Sequence, residues 1–182
     1  MAEPSPPPRS TTNPDAATPP PQPAETMEAA LRTFFSSPRF AVAGASSDPN
    51  KFGHQIFKWY LAHSLPVAPL NPSSASITVA RAAYPALASP AALPNPAATA
   101  LSVVTPPKVT AALLRDAAAA GVRAVWLQPG SFDGAALAFA RGAFAAAVAG
   151  EGNVTGGEGW CVLMDGEEAL GLAGREWKKV KL

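Results

Sequence analysis

Short apolar runs that alternate with helix-length stretches constrain this chain more than any other feature. "RFAVAGA" is brief, apolar and closed by Gly44. "LPVAPLNP", "ATALSVVTPP", "VRAVWLQPG" and "WCVLMDG" are further runs of the same kind. Between them, "KFGHQIFKWYLAHS" sets Phe52, Ile56, Tyr60 and His63 at helical spacing, which predicts one face packed on a sheet. "PKVTAALLRDAAAAG" has Pro at its start and Gly121 past its end, the usual helix asymmetry. "SFDGAALAFARGAFAAAVAG" reads as one more helix, with Asp133 as N-cap and Leu137, Phe144 and Val148 on one face. "TMEAALRTFFSS" reads as an opening helix, capped by Thr26 and ended by Pro38. Alternation of this kind predicts βαβ units. The expected fold class is α/β: a Rossmann-like, doubly wound, mainly parallel sheet of about five or six strands in three α/β/α layers. Its ligand crevice should lie at the carboxyl ends of the strands, with the Gly44 turn at the switch point. Between Ser73 and Pro96 the pattern is poor; Ile77 and Val79 suggest a brief edge strand, and "SPAALPNP" a turn of helix or a loop.

The chain has 182 residues, 48% of them hydrophobic, enough for one ordinary domain with a buried core. A formal net charge of +1 gives no electrostatic case for nucleic acid or an anionic membrane. No run approaches about 18 consecutive strongly apolar residues, so no transmembrane helix is expected. Cys161 is the only cysteine, which excludes an internal disulfide and multi-cysteine zinc sites. No metal is expected, and the setting is a reducing, cytoplasmic one.

Residues 1–26 differ in kind. "MAEPSPPPRSTTNPDAATPPPQPAE" is rich in Pro, Ser, Thr and Ala and has almost no large apolar side chain. Such a stretch cannot bury enough surface to offset its ordering entropy. It reads as a disordered tail leaning toward polyproline II, followed by one domain over 27–182. Its Pro runs could dock on an aromatic groove of a protein partner. It lacks the apolar segment of a secretory signal and the Arg-rich composition of a transit peptide.

The strand ends carry residues suited to a phosphate or a heterocycle. Gly44, Ala45, Ser46 and Ser47 are small, so backbone N–H groups can approach a phosphate, and the next helix aims its positive end there. Lys51 adds a charge. The classical dinucleotide fingerprint is G-x-G-x-x-G followed about 20 residues later by an acid. Here the second and third glycines are missing at that spacing and Gly53 comes late. The second run ends in Leu70-Asn71-Pro72-Ser73 without Asp or Glu, which disfavours NAD.

Together "VAGASSDPNKFG", "PVAPLNP", "VVTPPKVT", "VWLQPG" and "WCVLMDG", in that order and spacing, resemble the stand-alone CoA-binding domain proteins. These are similar to the N-terminal domain of the succinyl-CoA synthetase α subunit. The resemblance spans roughly Phe35 to Gly166. It implies coenzyme A, or an acyl-CoA, bound at the strand ends of a Rossmann-like sheet. By position, Gly44, Ala45 and Ser46 would line the pyrophosphate turn, and Asn71 and Pro72 would border the adenosine. Thr105 and Pro106 would flank the pantetheine path, while Gln128, Pro129 and Gly130 would close the far side. The chain departs from the pattern after the Asn-Pro. Related sequences often carry a basic residue there for the 3′-phosphate; Ser73 and Ser74 stand instead, and Lys51 is the substitute across the crevice.

Catalysis has little support in the sequence. The synthetase depends on a phosphorylated histidine in a second domain, and this chain stops near where that domain would begin. His63 reads as a capping or surface residue, and His54, in the first turn of its helix, as structural. Cys161 reads as a small hydrophobe in a strand, Trp59, Trp126 and Trp160 as core or crevice wall, "MDGEE" as a turn before a solvated helix start, and "REWKKVKL" as a solvated end. A non-catalytic CoA-binding module is the expectation, with room for a homodimer. An NAD(P)-dependent Rossmann-type enzyme and an interaction protein that keeps the fold without ligand are the alternatives.

Overall fold

A computed structural model of the chain describes residues 26–149 and 160–182. The Pro-rich stretch up to residue 25 lies outside the described residues. Seven strands and five helices are described: α1 (Met27–Phe35), β1 (Arg39–Ala43), α2 (Phe52–Ala62), β2 (Val67–Leu70), β3 (Ser76–Val79), β4 (Ala82–Pro85), β5 (Thr99–Val103), α3 (Pro107–Ala119), β6 (Ala124–Leu127), α4 (Gly134–Ala143), β7 (Ala146–Val148) and α5 (Val162–Leu172).

Five strands form one parallel sheet in the order β2-β1-β5-β6-β7. The chain runs outward from β1 to β2, then returns to the other side of β1 and continues through β5, β6 and β7. The order therefore reverses between β1 and β5, with the turns after both strands facing each other there. Because all five strands are parallel, their carboxyl ends share one edge of the sheet.

Both faces of the sheet are covered, and the period-2 alternation sorts the side chains. Phe40, Val42, Ala100, Trp126 and Val148 point to the layer of α1, α2 and α5. Ala41, Ala43, Leu101, Val103, Val125 and Leu127 point to α3 and α4. The first face is aromatic. Phe34 and Phe35 meet Trp126 edge-on at 5.5 and 5.9 Å, and Phe40 lies 5.3 Å from Tyr60. Ser102 falls on this face in the central strand, where its hydroxyl bonds the Tyr60 hydroxyl at 2.7 Å. Both groups are fully buried, and burial holds the Tyr60 phenol well above its ordinary range, so it stays protonated.

The sequence expectations fail at the run around Cys161, in the stretch expected to be one long helix, and in the exposure of His63. The run around Cys161 is the start of α5, not a strand. Asp165 Oδ2 accepts from the Cys161 N–H at 2.7 Å, and Gln128 Oε1 accepts from the Val162 N–H at 3.0 Å, which begins a helix. "MDGEE" therefore sits inside α5. The fifth parallel strand is β7, inside the stretch expected to be one long helix. Phe144, after α4, turns extended, and the Ala145 N–H bonds the Arg123 carbonyl at 3.0 Å, laying the chain beside β6. In the poor region the brief strand expected near Ile77 and Val79 forms as β3, paired antiparallel with β4, and short 3-10 turns, Pro90–Ala92 and Pro96–Ala98, stand where a turn of helix or a loop was expected.

The basic end is exposed from Glu176 to Leu182, as expected, but it is also tied to the domain. Val180 N–H donates to the Ala62 carbonyl at 2.8 Å, and Lys179 bonds Glu167 at 2.7 Å. His63 is the C-cap of α2, as expected, but it is buried there, not on the surface. Its Nδ1 meets the Trp59 carbonyl at 2.7 Å and its Nε2 meets Glu167 at 3.0 Å, and its ring stacks on Trp59 at 4.0 Å with Trp177 beside it. The helix caps at Thr26 and Asp133 form as expected.

Candidate functional site

The turn after β1 carries the first part of the site. Gly44 has φ +90°, the left-handed region, and a Cβ there would meet Thr105 Cγ2 and Val104 Cγ1 at 3.2 Å. Both the backbone and the facing turn after β5 therefore require glycine. Its N–H donates to the Leu70 carbonyl at 3.1 Å, tying the turn to β2. The loop beyond is braced by its own side chains. Ser46 Oγ accepts from the Asp48 N–H, and Asp48 Oδ1 accepts from the Asn50 N–H, at 3.1 and 3.0 Å. His54 Nδ1 donates to the Ser46 carbonyl at 3.0 Å. Ser47 Oγ accepts from the Thr78 N–H at 2.9 Å, which anchors the hairpin to the loop.

Helix α2 begins against this turn. An ideal Cβ on Gly53 would lie 1.9 Å from the Gly44 carbonyl oxygen, so only glycine allows the approach. Gly53 thus performs the close helix–strand packing that the third glycine of the dinucleotide fingerprint performs, at a longer spacing. Lys51 is the N-cap of α2 and forms no side-chain cap bond. Pro106, the N-cap of α3, forms none either. Helices α1 and α4 are capped by Thr26 and Asp133, and α5 has Asp165 on its N-cap amide. At the β1/β5 reversal α2 thus leaves the Phe52 and Gly53 N–H groups without a side-chain partner, while α3, which opens with Pro106 and Pro107 and bonds its Val109 N–H to the Pro106 carbonyl, leaves the Lys108 N–H; both macrodipoles point positive ends there.

A crevice of about 740 Å³ opens at this reversal. Of the residues expected from the sequence, Gly44, Lys51, Gly53, Thr105, Pro106, Pro129 and Gly130 line it. Thr105 is held by Thr110, whose hydroxyl lies 2.8 Å from its own. The others lie elsewhere. Ala45 is buried beneath the turn, while Ser46 and Ser47 brace the loop as described. Asn71 Nδ2 donates to the Ala45 carbonyl at 2.8 Å and its Oδ1 accepts from the Ser73 N–H at 2.8 Å, so its amide shapes the backbone at the β2 end. Pro72 and Ser73 are exposed beside it. Gln128 is buried and turned toward α5, away from the crevice lining.

Asn50, Phe52, Val104, Pro107 and Ser131 line the crevice without having been anticipated. Phe52 was expected on the packed face of α2 but is 66% exposed. Its position at the first residue of the helix carries it past the end of the sheet. Ser131 could have been found from "QPGS": its N–H and hydroxyl both donate to the Gln128 carbonyl, and Gly130 has φ +79°, which closes a tight turn after β6.

Among the described residues, no group of three or more His, Cys, Asp and Glu side chains gathers to hold a metal. No described helix is long and apolar enough to cross a membrane.

Solved structures share this architecture. A conserved hypothetical protein from Pyrococcus furiosus is 28% identical, with 60% of this chain and 91% of that chain covered, at a TM-score of 0.52. A Thermus thermophilus protein is 27% identical, covering 66% and 90%, with a TM-score of 0.53. A hypothetical protein from Pyrococcus horikoshii OT3 has the same fold at a TM-score of 0.64, with 20% identity and coverage of 82% and 96%. No curated protein matches the chain. The family model described as "CoA binding domain" matches residues 38–154, which run from the start of β1 past the end of β7 and contain the whole crevice lining. The chain belongs to the CoA binding domain family.

Proposed function

We propose that this chain binds coenzyme A, or an acyl-CoA, as a single non-catalytic domain formed by the residues from 27 onward. The Pro-rich stretch before them would remain free for a protein partner, and the single cysteine fits a reducing, cytoplasmic setting. The observation that carries the proposal is the pairing of two helix starts without side-chain caps, α2 and α3, across the Gly44 turn. Helix N-termini with open amides bind phosphate through their donors and positive potential. Lys51 lines the same crevice and adds a charge-assisted bond. A crevice of about 740 Å³ lies within the range of small-molecule sites.

Two features weigh against an NAD(P)-dependent enzyme. The β2 end offers Asn71, whose amide is already used on the Ala45 carbonyl and the Ser73 N–H, in place of an acid for a ribose diol. The side chains with reactive heteroatoms along the crevice are Lys51, Thr105 and Ser131. Thr105 bonds Thr110, and Ser131 donates to the Gln128 carbonyl.

Titration calorimetry of the full chain with CoA, dephospho-CoA and NAD tests the proposal. CoA should bind, NAD should bind far more weakly, and Lys51→Ala should cost about 1–3 kcal/mol of CoA affinity. Equal affinities for CoA and dephospho-CoA would remove the 3′-phosphate from recognition. NAD binding tighter than CoA would overturn the proposal.

A further inference from the structure

We propose that His63 is a proton-operated latch: with a proton on each ring nitrogen it holds the C-terminal segment, residues 175–182, against α2 and α5, and loss of one proton lets that segment open. The latch lies apart from the crevice and does not depend on the coenzyme A reading.

The chemistry of its two partners fixes the proton count on the ring. Nδ1 lies 2.7 Å from the Trp59 carbonyl oxygen, and Nε2 lies 3.0 Å from Glu167 Oε1. A carbonyl oxygen only accepts. Lys179 first, and His63, hold the Glu167 carboxyl below its ordinary 4.5, so above that value it is a carboxylate and also only accepts. A neutral imidazole has one N–H and would turn a lone pair toward one of these oxygens; the imidazolium donates to both. The side chain is 3% exposed, so bulk solvent does not replace a lost partner. The surroundings favour a positive ring in two further ways. It stacks on Trp59 at 4.0 Å and lies 4.7 Å from the Trp177 ring, distances at which an indole attracts a cation. It also stands at the C-terminal, negative end of the α2 dipole.

These contacts join three parts of the chain. Trp59 belongs to α2, Glu167 to α5, and Trp177 to the C-terminal segment, which forms no helix or strand. The segment is tied down on either side of His63: the Val180 N–H donates to the Ala62 carbonyl and Ser64 Oγ donates to the Lys178 carbonyl, both at 2.8 Å. The charged groups at the latch are Glu167 from α5 and Lys179 from the segment, whose Nζ bonds the same Glu167 oxygen at 2.7 Å; α2 presents the neutral Trp59. Removing one proton from the ring costs a charge-assisted bond and both cation–indole contacts, while Lys179 keeps its hold on Glu167. Interactions made only by the protonated form stabilise the docked segment while the proton is bound and are lost as pH rises. Imidazoles change charge between about pH 5 and 8, so the segment should be closed at the acid end of that range and looser at the alkaline end.

Amide hydrogen exchange of the full chain from pH 5 to 8.5 tests the latch, with each rate divided into the unstructured rate at the same pH. Protection of the Val180 amide should fall about tenfold across the range, the scale of one lost charge-assisted bond, while the Val42 amide in β1 stays level. His63→Gln keeps a donor without a charge and should give a level Val180 profile. Glu167→Gln offers a neutral ring an amide donor, so its profile should flatten too, which serves where His63→Gln fails to fold. Lys179→Ala leaves His63 as the sole cation on Glu167 and should steepen the profile, an effect that a merely packed histidine would not produce. Nitrogen-15 spectra of the ring at pH 5 should show both nitrogens protonated. A level profile in the parent, an equal fall at Val42, a fall that persists in Glu167→Gln, or a singly protonated ring in the docked state at pH 5 overturns the proposal.

Discussion

Replacing Gly53 by alanine perturbs the joint on which the site depends. The new Cβ would lie 1.9 Å from the Gly44 carbonyl oxygen, 2.9 Å from its carbon and 3.3 Å from Ala45 Cα. All three are backbone atoms, so no side chain can swing aside. The separation from the oxygen must grow to at least 3.0 Å, which moves either the start of α2 or the Gly44 turn. Overpacking of this kind costs about 1–3 kcal/mol. Alanine recovers up to about 0.5–1 kcal/mol through its better helix propensity. The net loss should be about 1–2 kcal/mol, or about 2–8 °C in Tm for a chain of this size. The same shift displaces the first-turn amides of α2, so CoA affinity should fall by more than tenfold (~1.4 kcal/mol). Urea denaturation and CoA titration read the two effects separately. Gly142→Ala is the control: it lies in α4 with nothing within 4 Å of its would-be Cβ, and should gain about 0.5–1 kcal/mol with CoA binding unchanged. If Gly53→Ala matched the parent in both stability and affinity, the close approach of α2 to the turn would not be a constraint.

Three further perturbations probe the frame. A Cβ on Gly166 would lie 2.4 Å from Trp59 Cζ2, and that ring is stacked on His63; Gly166→Ala should cost about 1–3 kcal/mol and shift the His63 ring resonances, and an unshifted spectrum would refute the contact. Ala80 and Arg81, the two turn residues of the β3–β4 hairpin, have φ 49° and 68°; replacing the pair by Asn-Gly should raise unfolding free energy by about 1 kcal/mol, and no gain in urea midpoint would contradict the strain. Lys179, first, and His63 hold the Glu167 carboxyl below its ordinary 4.5. Its contribution to stability is therefore complete above that value and lost as pH falls through the lowered one. Urea midpoints should fall more steeply on acidification from pH 4.5 in the parent than in Glu167→Gln, and parallel profiles would refute it.

The central architecture was legible because a parallel sheet covered on both faces leaves strands as short apolar runs, and four of the five were read correctly. The exceptions have local causes. β7 is Ala-Ala-Val within an alanine-rich stretch, where helix propensity dominates any pattern and the strand is set by pairing with β6. Trp160 to Met164 has a strand's apolar content, but Asp165 lies one turn beyond Cys161 and accepts from its N–H, which starts a helix. Phe52 fits the helical period of a buried face; periodicity says nothing of where the sheet beneath ends. The basic end is exposed as its composition suggests, but its ties were not legible: Trp177 lies by His63, and Arg175 donates to the Phe35 and Ser37 carbonyls at 3.2 and 3.3 Å. At the site, the glycine and proline turns were visible as strand-end punctuation. The role of Gly53 was not, because its contact is with a backbone atom nine residues earlier.

The most direct measurement of the central claim is an amide-resolved NMR titration of the full chain with CoA. Phosphates held on the two open helix starts and the Gly44 turn should shift the Gly44, Phe52, Gly53, Thr105 and Gly130 amides most, with the α5 and C-terminal amides near His63 left in place. Saturable CoA binding whose shifts center on that opposite edge, leaving Gly44 and Gly53 unmoved, would contradict the account.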